Sequence, residues 1–330
     1  MFYIKAKRKV KCTLCPHFCE LHEGKIGLCG VRQNLGGRIK CRVYGLVSGY
    51  AFDLIEKKPL YHYYPGKKIL SMGSFGCNLN CNFCQNWKIS LACQLENLQG
   101  ETKTIDQIIN DALTDAENIG VAYTYNEPTV WFEFMYDTAL EVKNNGMRNV
   151  MVSNGYINKE PLEMLLNVID AFNIDLKAFT DSFYHEMAGG KINPVLESLK
   201  LIKAHDKHLE LTMLVIPRKN DDLEKFKEMV HWIQSELGEN TVLHLSRYFP
   251  KYKQTLPSTS ESTLTEMAQL AHEKLNFVYL GNIHNPKYSS TLCSNCKSEL
   301  VLRNGFTVEF TKEFSSGKCL NCGKQMPIVV

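Results

Sequence analysis

Cysteine spacing is the strongest constraint on this 330-residue chain, because its 13 cysteines are not spread evenly along the sequence. All but Cys41 and Cys93 fall into three short groups. Cysteines separated by two or three residues are typical of metal sites, since such turns direct neighbouring sulfur atoms toward one ion or cluster. We therefore predict that the chain folds around three metal-binding segments.

Composition and charge exclude several classes of protein. With 44% apolar residues, 22% charged residues and a formal net charge of +3, the chain resembles an ordinary globular protein, and nucleic acid is not its expected main partner. No apolar run approaches the ~18 residues that a membrane span needs, and the N-terminus lacks the apolar core of a signal peptide. We expect a cytoplasmic monomer without a membrane partner, in which reduced thiols bind metal.

Residues 67–286 alternate short β-rich runs with amphipathic helical patterns, which predicts an α/β fold with a parallel sheet. Several strands carry polar pairs near their C-terminal ends. These pairs are Thr124/Asn126, Asp175/Lys177 and His244/Ser246. Buried parallel strands are normally apolar on both faces, so the pairs favour a partial (β/α)6 barrel of the TIM type with a polar cavity at that edge. The alternative, solvent-facing pairs on edge strands, explains one or two strands but not all.

The first helix of this region is predicted to begin at a capping box formed by Thr104 and Gln107 and to end at Gly120. The flanking segments lack the strand–helix alternation, and each holds a cysteine group. We predict an N-terminal cysteine-rich module with its lead-in at 1–66, the partial barrel at 67–286, and a zinc-ribbon-like module at 287–330.

Two of the groups contain four thiols and can complete a metal site. The C-terminal cysteine group is Cys293, Cys296, Cys319 and Cys322. Its two C-x2-C turns are typical of a structural zinc ribbon, with a rubredoxin-like iron as the alternative. The N-terminal cysteine group is Cys12, Cys15, Cys19 and Cys29. It fits zinc, which we slightly favour, or an auxiliary iron–sulfur cluster.

The central triad, Cys77, Cys81 and Cys84, has one ligand too few to close a tetrahedral site. It follows the first predicted strand of the α/β region, at the edge where ligands of such proteins bind. A [4Fe–4S] cluster held by the triad would keep one iron open for substrate. The alternative is a zinc site with Cys93 as the fourth ligand.

The sequence C-x3-C-x-aromatic-C after the first strand of a partial barrel resembles the radical S-adenosylmethionine (SAM) enzymes. Further segments extend the likeness to one branch, the radical SAM enzymes of the AmmeMemoRadiSam system, which are related to pyruvate formate-lyase activating enzyme. These segments are "CTLCPHFCELHEGKIGLCGVRQN", "EKKPLYHYYPG", "GCNLNCNFCQNW", "YTYNEPT", "SNGY" and "HLSRYFPKY". Together they span nearly the whole chain.

The resemblance implies roles for individual residues. Cys77, Cys81 and Cys84 would hold a [4Fe–4S] cluster whose open iron is chelated by the amino and carboxylate groups of SAM. The implied cofactor-binding residues are Phe83 beside the adenine, Asn126 and Glu127 where the family has Gly-Gly-Glu, Ser153 and Asn154 near the ribose, Lys177 and His244. The implied catalytic residues are Asp175, Lys177 and His244.

The resemblance also implies the reaction. An electron from the reduced cluster cleaves SAM to methionine and a 5′-deoxyadenosyl radical, which abstracts hydrogen from a protein or another cellular substrate. Activation of a glycyl-radical enzyme is one form of this chemistry, and the electron donor would be a protein such as flavodoxin or ferredoxin. The alternative is a non-catalytic protein with several zinc sites that binds nucleic acid or a partner protein.

Overall fold

The computed structural model describes residues 1–6, 8–91 and 98–330, so Cys93 lies outside the described residues. The N-terminal part is built of short strands joined by turns. They are β1 (Tyr3–Ala6), β2 (Lys9–Cys12), β3 (Glu20–Leu21), β4 (Arg32–Asn34), β5 (Ile39–Cys41) and β6 (Leu46–Val47), with β6 pairing antiparallel to β9 (Glu101–Thr102). β1, β2 and β3 form one antiparallel sheet, and β4 and β5 form a second.

Seven parallel strands of the central sheet lie side by side in the order in which they occur along the chain. After the antiparallel edge strand β7 (Gly49–Leu54), they are β8 (Lys68–Gly73), β10 (Asn118–Tyr123), β11 (Arg148–Ser153), β12 (Ala171–Asp175), β13 (His208–Val215), β14 (Val242–Arg247) and β15 (Val278–Gly281). Sequential parallel pairing through crossover connections curls a sheet into a partial barrel. The predicted α/β fold with an open (β/α)6-type barrel is confirmed.

Helices connect these strands. They are α1 (Trp87–Ser90), α2 (Ile105–Ala112), α3 (Phe132–Asn144), α4 (Lys159–Leu166), α5 (Asp181–Phe183), α6 (Asn193–Ala204), α7 (Leu223–Trp232) and α8 (Glu261–His272). Short 3₁₀ turns cover Ile55–Lys57, Pro128–Trp131 and Pro286–Tyr288, and π-helical turns cover Tyr184–Ala188 and Ile233–Leu237. α3 is typical: Met135, Ala139 and Val142 recur at helical spacing and are buried. No helix in the described part of the chain is long and apolar enough to span a membrane.

The C-terminal part contains five short strands. They are β16 (Thr291–Leu292), β17 (Glu299–Asn304), β18 (Thr307–Phe310), β19 (Phe314–Ser315) and β20 (Lys318–Cys319). Its apolar residues share a buried cluster with Val242 and Phe277, which lie where β14 and β15 begin. The Arg303 guanidinium stacks over the Tyr61 ring at 4.3 Å and donates to Thr291. The C-terminal module therefore packs at the end of the barrel where the parallel strands begin.

α2 begins as predicted, but it ends at Ala112, eight residues before the predicted end at Gly120. In the capping box, Gln107 N donates to Thr104 Oγ1 at 3.2 Å and Thr104 N donates to Gln107 Oε1 at 2.9 Å. The last helical residue is Ala112, because the chain then turns into β10. The predicted helix end at Gly120 is wrong.

Gly120 instead permits close contact between two strands. It lies in β10 with a φ of 153°, paired with Arg148 of β11. A Cβ atom at this position would lie 1.9 Å from the Arg148 carbonyl oxygen, well inside van der Waals contact. Only glycine fits this position without displacing β11.

We expect Gly120→Ala to lower the free energy of unfolding by about 3 kcal/mol or more, because backbone rather than a flexible side chain blocks the new methyl group. Gly146→Ala is the matched control. Gly146 has a φ of 73° and open space around its Cβ position, so this change should cost only about 1–2 kcal/mol. Denaturant unfolding of both variants measures the difference; equal losses would contradict the close β10–β11 contact.

Candidate functional site

A cavity of about 370 Å³ opens where the parallel strands of the barrel end. Its walls contain all three thiols of the central triad and polar residues that lie on five neighbouring strands, β10 to β14, or directly after their C-terminal ends. These polar residues are Thr124, Asn126, Glu127, Ser153, Asn154, Asp175, Lys177, Thr212 and Ser246. Residues distant in sequence therefore converge at the edge where α/β proteins bind ligands.

The central triad lies on the three-cysteine loop, which we define as residues 74–86 between β8 and α1. Cys81 is buried, while Cys77 and Cys84 are partly exposed to the cavity. Among the described residues lining the cavity, these are the only cysteines. The three thiols thus share one cavity without a fourth cysteine ligand from the described chain.

Asparagine side chains hold the three-cysteine loop to the barrel. Asn126 Nδ2 donates to the Gly76 carbonyl at 2.8 Å, and Asn126 Oδ1 accepts from Ser74 N at 3.0 Å. Asn78 Nδ2 donates to the Tyr156 carbonyl at 2.6 Å. Backbone groups without regular secondary structure need such partners when buried, so these amides maintain the loop conformation.

Cys77 receives direct hydrogen bonds at its sulfur. Leu79 N lies 3.4 Å and Asn154 Nδ2 lies 3.6 Å from Cys77 Sγ. Burial raises the pKa of the Cys77 thiol well above its usual value, and the nearby Glu127 carboxylate adds to the shift. Donors aimed at a cysteine sulfur stabilise its thiolate and tune the reduction potential of any bound iron–sulfur cluster.

Glu127 is a buried carboxylate that links two strand ends. Its Oε1 accepts from Thr129 N at 3.0 Å and from Ser153 Oγ at 2.8 Å, while Oε2 accepts from Asn154 N at 2.8 Å. Burial raises the pKa of Glu127, although these hydrogen bonds oppose the shift. A carboxylate has about four acceptor positions, so Oε2 retains one for a ligand in the cavity.

Asp175 and Lys177 form an ion pair in the cavity wall, with Lys177 Nζ 2.7 Å from Asp175 Oδ2. Burial acts to lower the pKa of Lys177, but Asp175 and the Cys81 thiol together outweigh it and raise that pKa. Burial raises the pKa of the Cys81 thiol to about 11, although the nearby Lys177 ammonium opposes this shift. Lys177 therefore places a stable positive charge beside the central triad.

His244 lies apart from the cavity, unlike the other residues predicted for this site. Its Nε2 donates to Glu210 Oε2 at 2.6 Å, and its ring packs on Tyr61 and Tyr279. Ser246, two residues later in β14, does line the cavity. Alternation along a strand correctly places both side chains on one face, but His244 lies one layer deeper in the barrel.

His244 belongs to a buried polar cluster, defined as His62, His208, Glu210, His244 and Tyr279. Glu210 accepts from His208 Nε2 at 2.9 Å and from the backbone N–H groups of Tyr61 and His62 at 2.9 and 2.7 Å. Burial opposes ionisation of Glu210, but its hydrogen bonds to the histidines hold its pKa well below the usual value. This arrangement satisfies a buried charge, and none of its five residues is among the described residues that line the strand-end cavity.

The C-terminal and N-terminal cysteine groups are not among the residues that line this cavity. In the C-terminal cysteine group, all four sulfur atoms lie within 4.8 Å of one another, so this group could bind a metal ion. Sγ atoms of Cys293 and Cys322 are 3.6 Å apart, as are those of Cys296 and Cys319. In the N-terminal cysteine group, Cys12 and Cys29 are buried, whereas Cys15 and Cys19 are partly exposed.

Sequence reasoning missed several cavity residues. Lys58 and Tyr125 both line the cavity, where the Lys58 ammonium lies 4.8 Å from the centre of the Tyr125 ring. Both bond to Asp53 Oδ2, at 2.8 and 2.9 Å. Lys58 lies within the segment "EKKPLYHYYPG", but no local pattern indicates that β7 brings this segment to the cavity.

Comparison with known proteins assigns the chain to a family. The profile of the Radical SAM superfamily matches residues 73–233, which include the three-cysteine loop. The chain is 40% identical to the protein MJ0808 of Methanocaldococcus jannaschii, described as uncharacterized, over 100% of this chain and 99% of that protein. The chain belongs to the radical SAM superfamily.

Other radical SAM proteins match part of the chain. The pyruvate formate-lyase-activating enzyme of Listeria monocytogenes is 22% identical over 174 residues, covering 48% of this chain and 67% of that enzyme. SuiB of Streptococcus suis, solved with SAM bound, superposes with a TM-score of 0.51 at 15% identity, covering 66% of this chain and 52% of SuiB. SuiB has also been solved with its precursor peptide SuiA. That structure superposes with a TM-score of 0.50 at 16% identity, covering 70% of this chain and 52% of SuiB.

These comparisons confirm the predicted likeness to radical SAM and activating enzymes, and with it the prediction of an enzyme. SuiB supports the fold alone, because its sequence identity is low. Radical SAM enzymes use a [4Fe–4S] cluster and SAM, and the cavity fits this pair. It offers three thiols, a buried carboxylate with a remaining acceptor position, and the Lys177 ammonium.

The buried polar cluster predicts a pH dependence of stability. Burial lowers the pKa of His62 from 6.5 to about 3. Below pH 6.5 the unfolded chain binds a proton that folded His62 does not, so stability is lost as the pH falls from 6.5 toward 3. Between pH 7.5 and 5.5 this loss is about 1.4 kcal/mol.

The wild type should lose about 1.4 kcal/mol more unfolding free energy between pH 7.5 and 5.5 than His62→Gln does, because the variant lacks this histidine. Denaturant unfolding of both proteins at the two pH values measures the difference. His231→Gln is the control, because His231 is exposed on α7 and its removal should leave the difference unchanged. An unaltered pH dependence in His62→Gln would show that folded His62 binds the proton.

Proposed function

We propose that this enzyme reductively cleaves SAM at a [4Fe–4S] cluster held by Cys77, Cys81 and Cys84, in the cytoplasm. The resulting 5′-deoxyadenosyl radical then abstracts a hydrogen atom from a protein substrate. The observation that carries the proposal is the shared cavity: three thiols, no fourth cysteine among its described lining residues, and polar side chains from successive strand ends. An incomplete ligand set leaves a coordination position for SAM.

The chain's own residues would bind and orient SAM. The free acceptor position of Glu127 suits the SAM ammonium, and Lys177 suits the SAM carboxylate. Phe83 is buried and lines the same cavity, so its ring provides an apolar surface for the adenine. Ser153 and Asn154 lie at the end of β11 and line the same cavity, so we assign them to the ribose hydroxyls. When bound, the cluster supplies the single electron that SAM cleavage requires.

A protein substrate agrees with the relatives. Pyruvate formate-lyase-activating enzyme, which matches 48% of this chain, is named for a protein target. Gln85, which lines the cavity, donates to the carbonyl of exposed Phe249 at 3.3 Å, and the Tyr252 ring stacks on Trp87 at 5.3 Å. We propose that a segment of the substrate protein enters here, and that a donor such as flavodoxin or ferredoxin supplies the electron.

We further propose that the C-terminal cysteine group binds structural zinc. Zinc bonded to four sulfur atoms at about 2.3 Å places them about 3.8 Å apart. The two observed Sγ–Sγ distances of 3.6 Å are close to this value. The group shares its buried apolar cluster with the first residues of β14 and β15, so the ion would maintain the module that packs there.

Replacing Cys77, Cys81 or Cys84 by Ala should abolish reductive SAM cleavage, because each change removes a cluster ligand. Deoxyadenosine formed from SAM under anaerobic reducing conditions is the measurement. Cys41→Ala is the control and should retain cleavage, since Cys41 lies outside all three groups. Deoxyadenosine formation in all three triad variants would refute this site.

Lys177→Met should weaken SAM binding by about 10- to 100-fold, because it removes the cation that pairs with the SAM carboxylate while keeping a similar volume. Equilibrium dialysis of SAM against the cluster-loaded enzyme measures the change. Lys191→Met, on an exposed residue, should leave the Kd unaltered, and Lys177→Arg should restore part of the affinity. A wild-type Kd for SAM in Lys177→Met would show that Lys177 does not bind SAM.

A further inference from the structure

One side of the strand-end cavity carries two lysines that the proposed SAM contacts do not use. Lys57 and Lys58, which we call the lysine pair, line the cavity together with Tyr125. The lysine pair follows β7, the edge strand at one end of the central sheet, whereas Lys177 follows β12 in its middle. The cavity therefore holds positive charge at two separate places.

Tyr125 forms the wall beside the lysine pair. Its ring packs where β7 and β8 each carry a glycine, and a Cβ at Gly49 or Gly73 would lie 3.0 or 2.9 Å from Tyr125 Cδ2. The Tyr125 hydroxyl donates to Asp53 Oδ2 at 2.9 Å, and the Lys58 ammonium lies 4.8 Å from the ring centre. The two glycines therefore leave the room that brings an aromatic ring against Lys58.

The two ammonium groups of the lysine pair share one carboxylate. Lys58 Nζ lies 2.8 Å from Asp53 Oδ2, and Lys57 Nζ lies 3.1 Å from Asp53 Oδ1. Within the described chain, neither lysine forms an ion pair with any other carboxylate. Burial opposes ionisation of Asp53, but its bond to the Lys58 ammonium holds the pKa of this carboxyl well below its usual value. Asp53 thus stays negative and neutralises one of the two lysines.

The Lys58 ammonium lacks a complete set of partners. Its side chain is only 3% exposed, and burial lowers the pKa of the ammonium, although Asp53 opposes the shift. A buried charge is costly unless it is paired and fully hydrogen-bonded. Of the three N–H groups of this ammonium, one is donated to Asp53. An anion in the cavity would supply both a further acceptor and the missing negative charge.

SAM does not supply that anion. A SAM molecule has a single carboxylate, which we have assigned to Lys177, and its ammonium and sulfonium groups give it a net positive charge. Because like charges repel, the lysine pair disfavours SAM at this place. The anion must therefore come from the substrate. In a protein substrate, Asp and Glu provide the side chains that are negative at neutral pH.

We propose that the lysine pair binds the carboxylate of an Asp or Glu side chain in the substrate segment. This contact would hold the segment in place while a neighbouring residue gives up its hydrogen atom. Lys57 is 45% exposed and has room for a second partner, whereas Lys58 is held between Asp53 and the Tyr125 ring. That the substrate is a protein rests on the proposed function.

Two capped peptides that differ in one charge test this proposal. Acetyl-Gly-Glu-Gly-amide and acetyl-Gly-Gln-Gly-amide are titrated against the cluster-loaded enzyme with SAM and without reductant, and nuclear magnetic resonance of the peptide gives each Kd. We expect the wild type to bind the glutamate peptide about tenfold more tightly, because only its carboxylate can pair with the lysines. Equal Kd values for the two peptides would overturn the proposal.

Variants then test whether the lysine pair causes this preference. Lys57→Met and Lys58→Met should each lower it to about threefold or less, and Lys57→Met alters only a half-exposed side chain. Asp53→Asn should increase it, because Asp53 then no longer competes for the two ammonium groups. Lys191→Met, on an exposed residue, should keep the wild-type ratio.

A purely structural ion pair gives the opposite result in Asp53→Asn, since losing Asp53 would only disturb the cavity wall. A glutamate preference that falls in Asp53→Asn, or that persists in full in both lysine variants, would refute the carboxylate site.

The same samples separate this inference from the proposed function. If Lys57→Met raised the Kd for SAM as much as Lys177→Met does, the lysine pair would belong to the SAM site and the inference would be overturned. Peptide binding is measured without reductant. Absence of SAM cleavage in the wild type would therefore refute the proposed function, while a glutamate preference would still support the carboxylate site.

Discussion

The site depends on a largely buried loop that presents three thiols to one cavity and has no regular secondary structure to satisfy its backbone. Buried backbone N–H and C=O groups need partners, and here asparagine amides supply them. Asn126 bonds both Ser74 and Gly76, Asn78 reaches Tyr156, and Asn154 bonds Asn78 Oδ1 at 2.9 Å. Because Asn126 and Asn154 follow the ends of β10 and β11, the barrel itself positions the thiols. The loop and the sheet edge therefore form one unit, and neither would hold this geometry alone.

Polar groups in the barrel interior have two different physical functions. At the strand ends they line an open cavity, where Asp175 is 39% exposed and can respond to a ligand. One layer deeper, Glu210 is fully buried and accepts four hydrogen bonds that hold its charge. The deeper cluster ties β13 and β14 to residues 61 and 62, whose carbonyls accept from Arg303 and from Val329 N of the C-terminal module. Stability and chemistry thus occupy successive layers of the same barrel.

The two terminal modules are attached in different ways. The C-terminal module has its own buried apolar cluster and packs where β14 and β15 begin, far along the strands from the cavity edge. The N-terminal module shares the main core with Cys81, and Arg32 forms a two-point ion pair with Glu133 of α3 at 2.7 and 2.8 Å. Arg–carboxylate pairs of this kind are directional, so the pair fixes the orientation of the module beside the three-cysteine loop. Its cysteines therefore lie near the three-cysteine loop.

The sequence by itself determined the alternation of strands and helices, the three cysteine groups and the family, because these depend on local spacing and periodicity. The capping box at Thr104 is a local pattern and was predicted correctly, whereas Gly120 was misread, since its role depends on the backbone of Arg148 in another strand. His244 and Ser246 share a strand face, but only the depth of the barrel separates a buried residue from a cavity residue. Likewise, the spacing of the N-terminal cysteine group favours zinc only slightly over an iron–sulfur cluster. The close approach of the four C-terminal sulfur atoms, and the packing of Gly76 against the Cys29 carbonyl, exist only once the chain has folded.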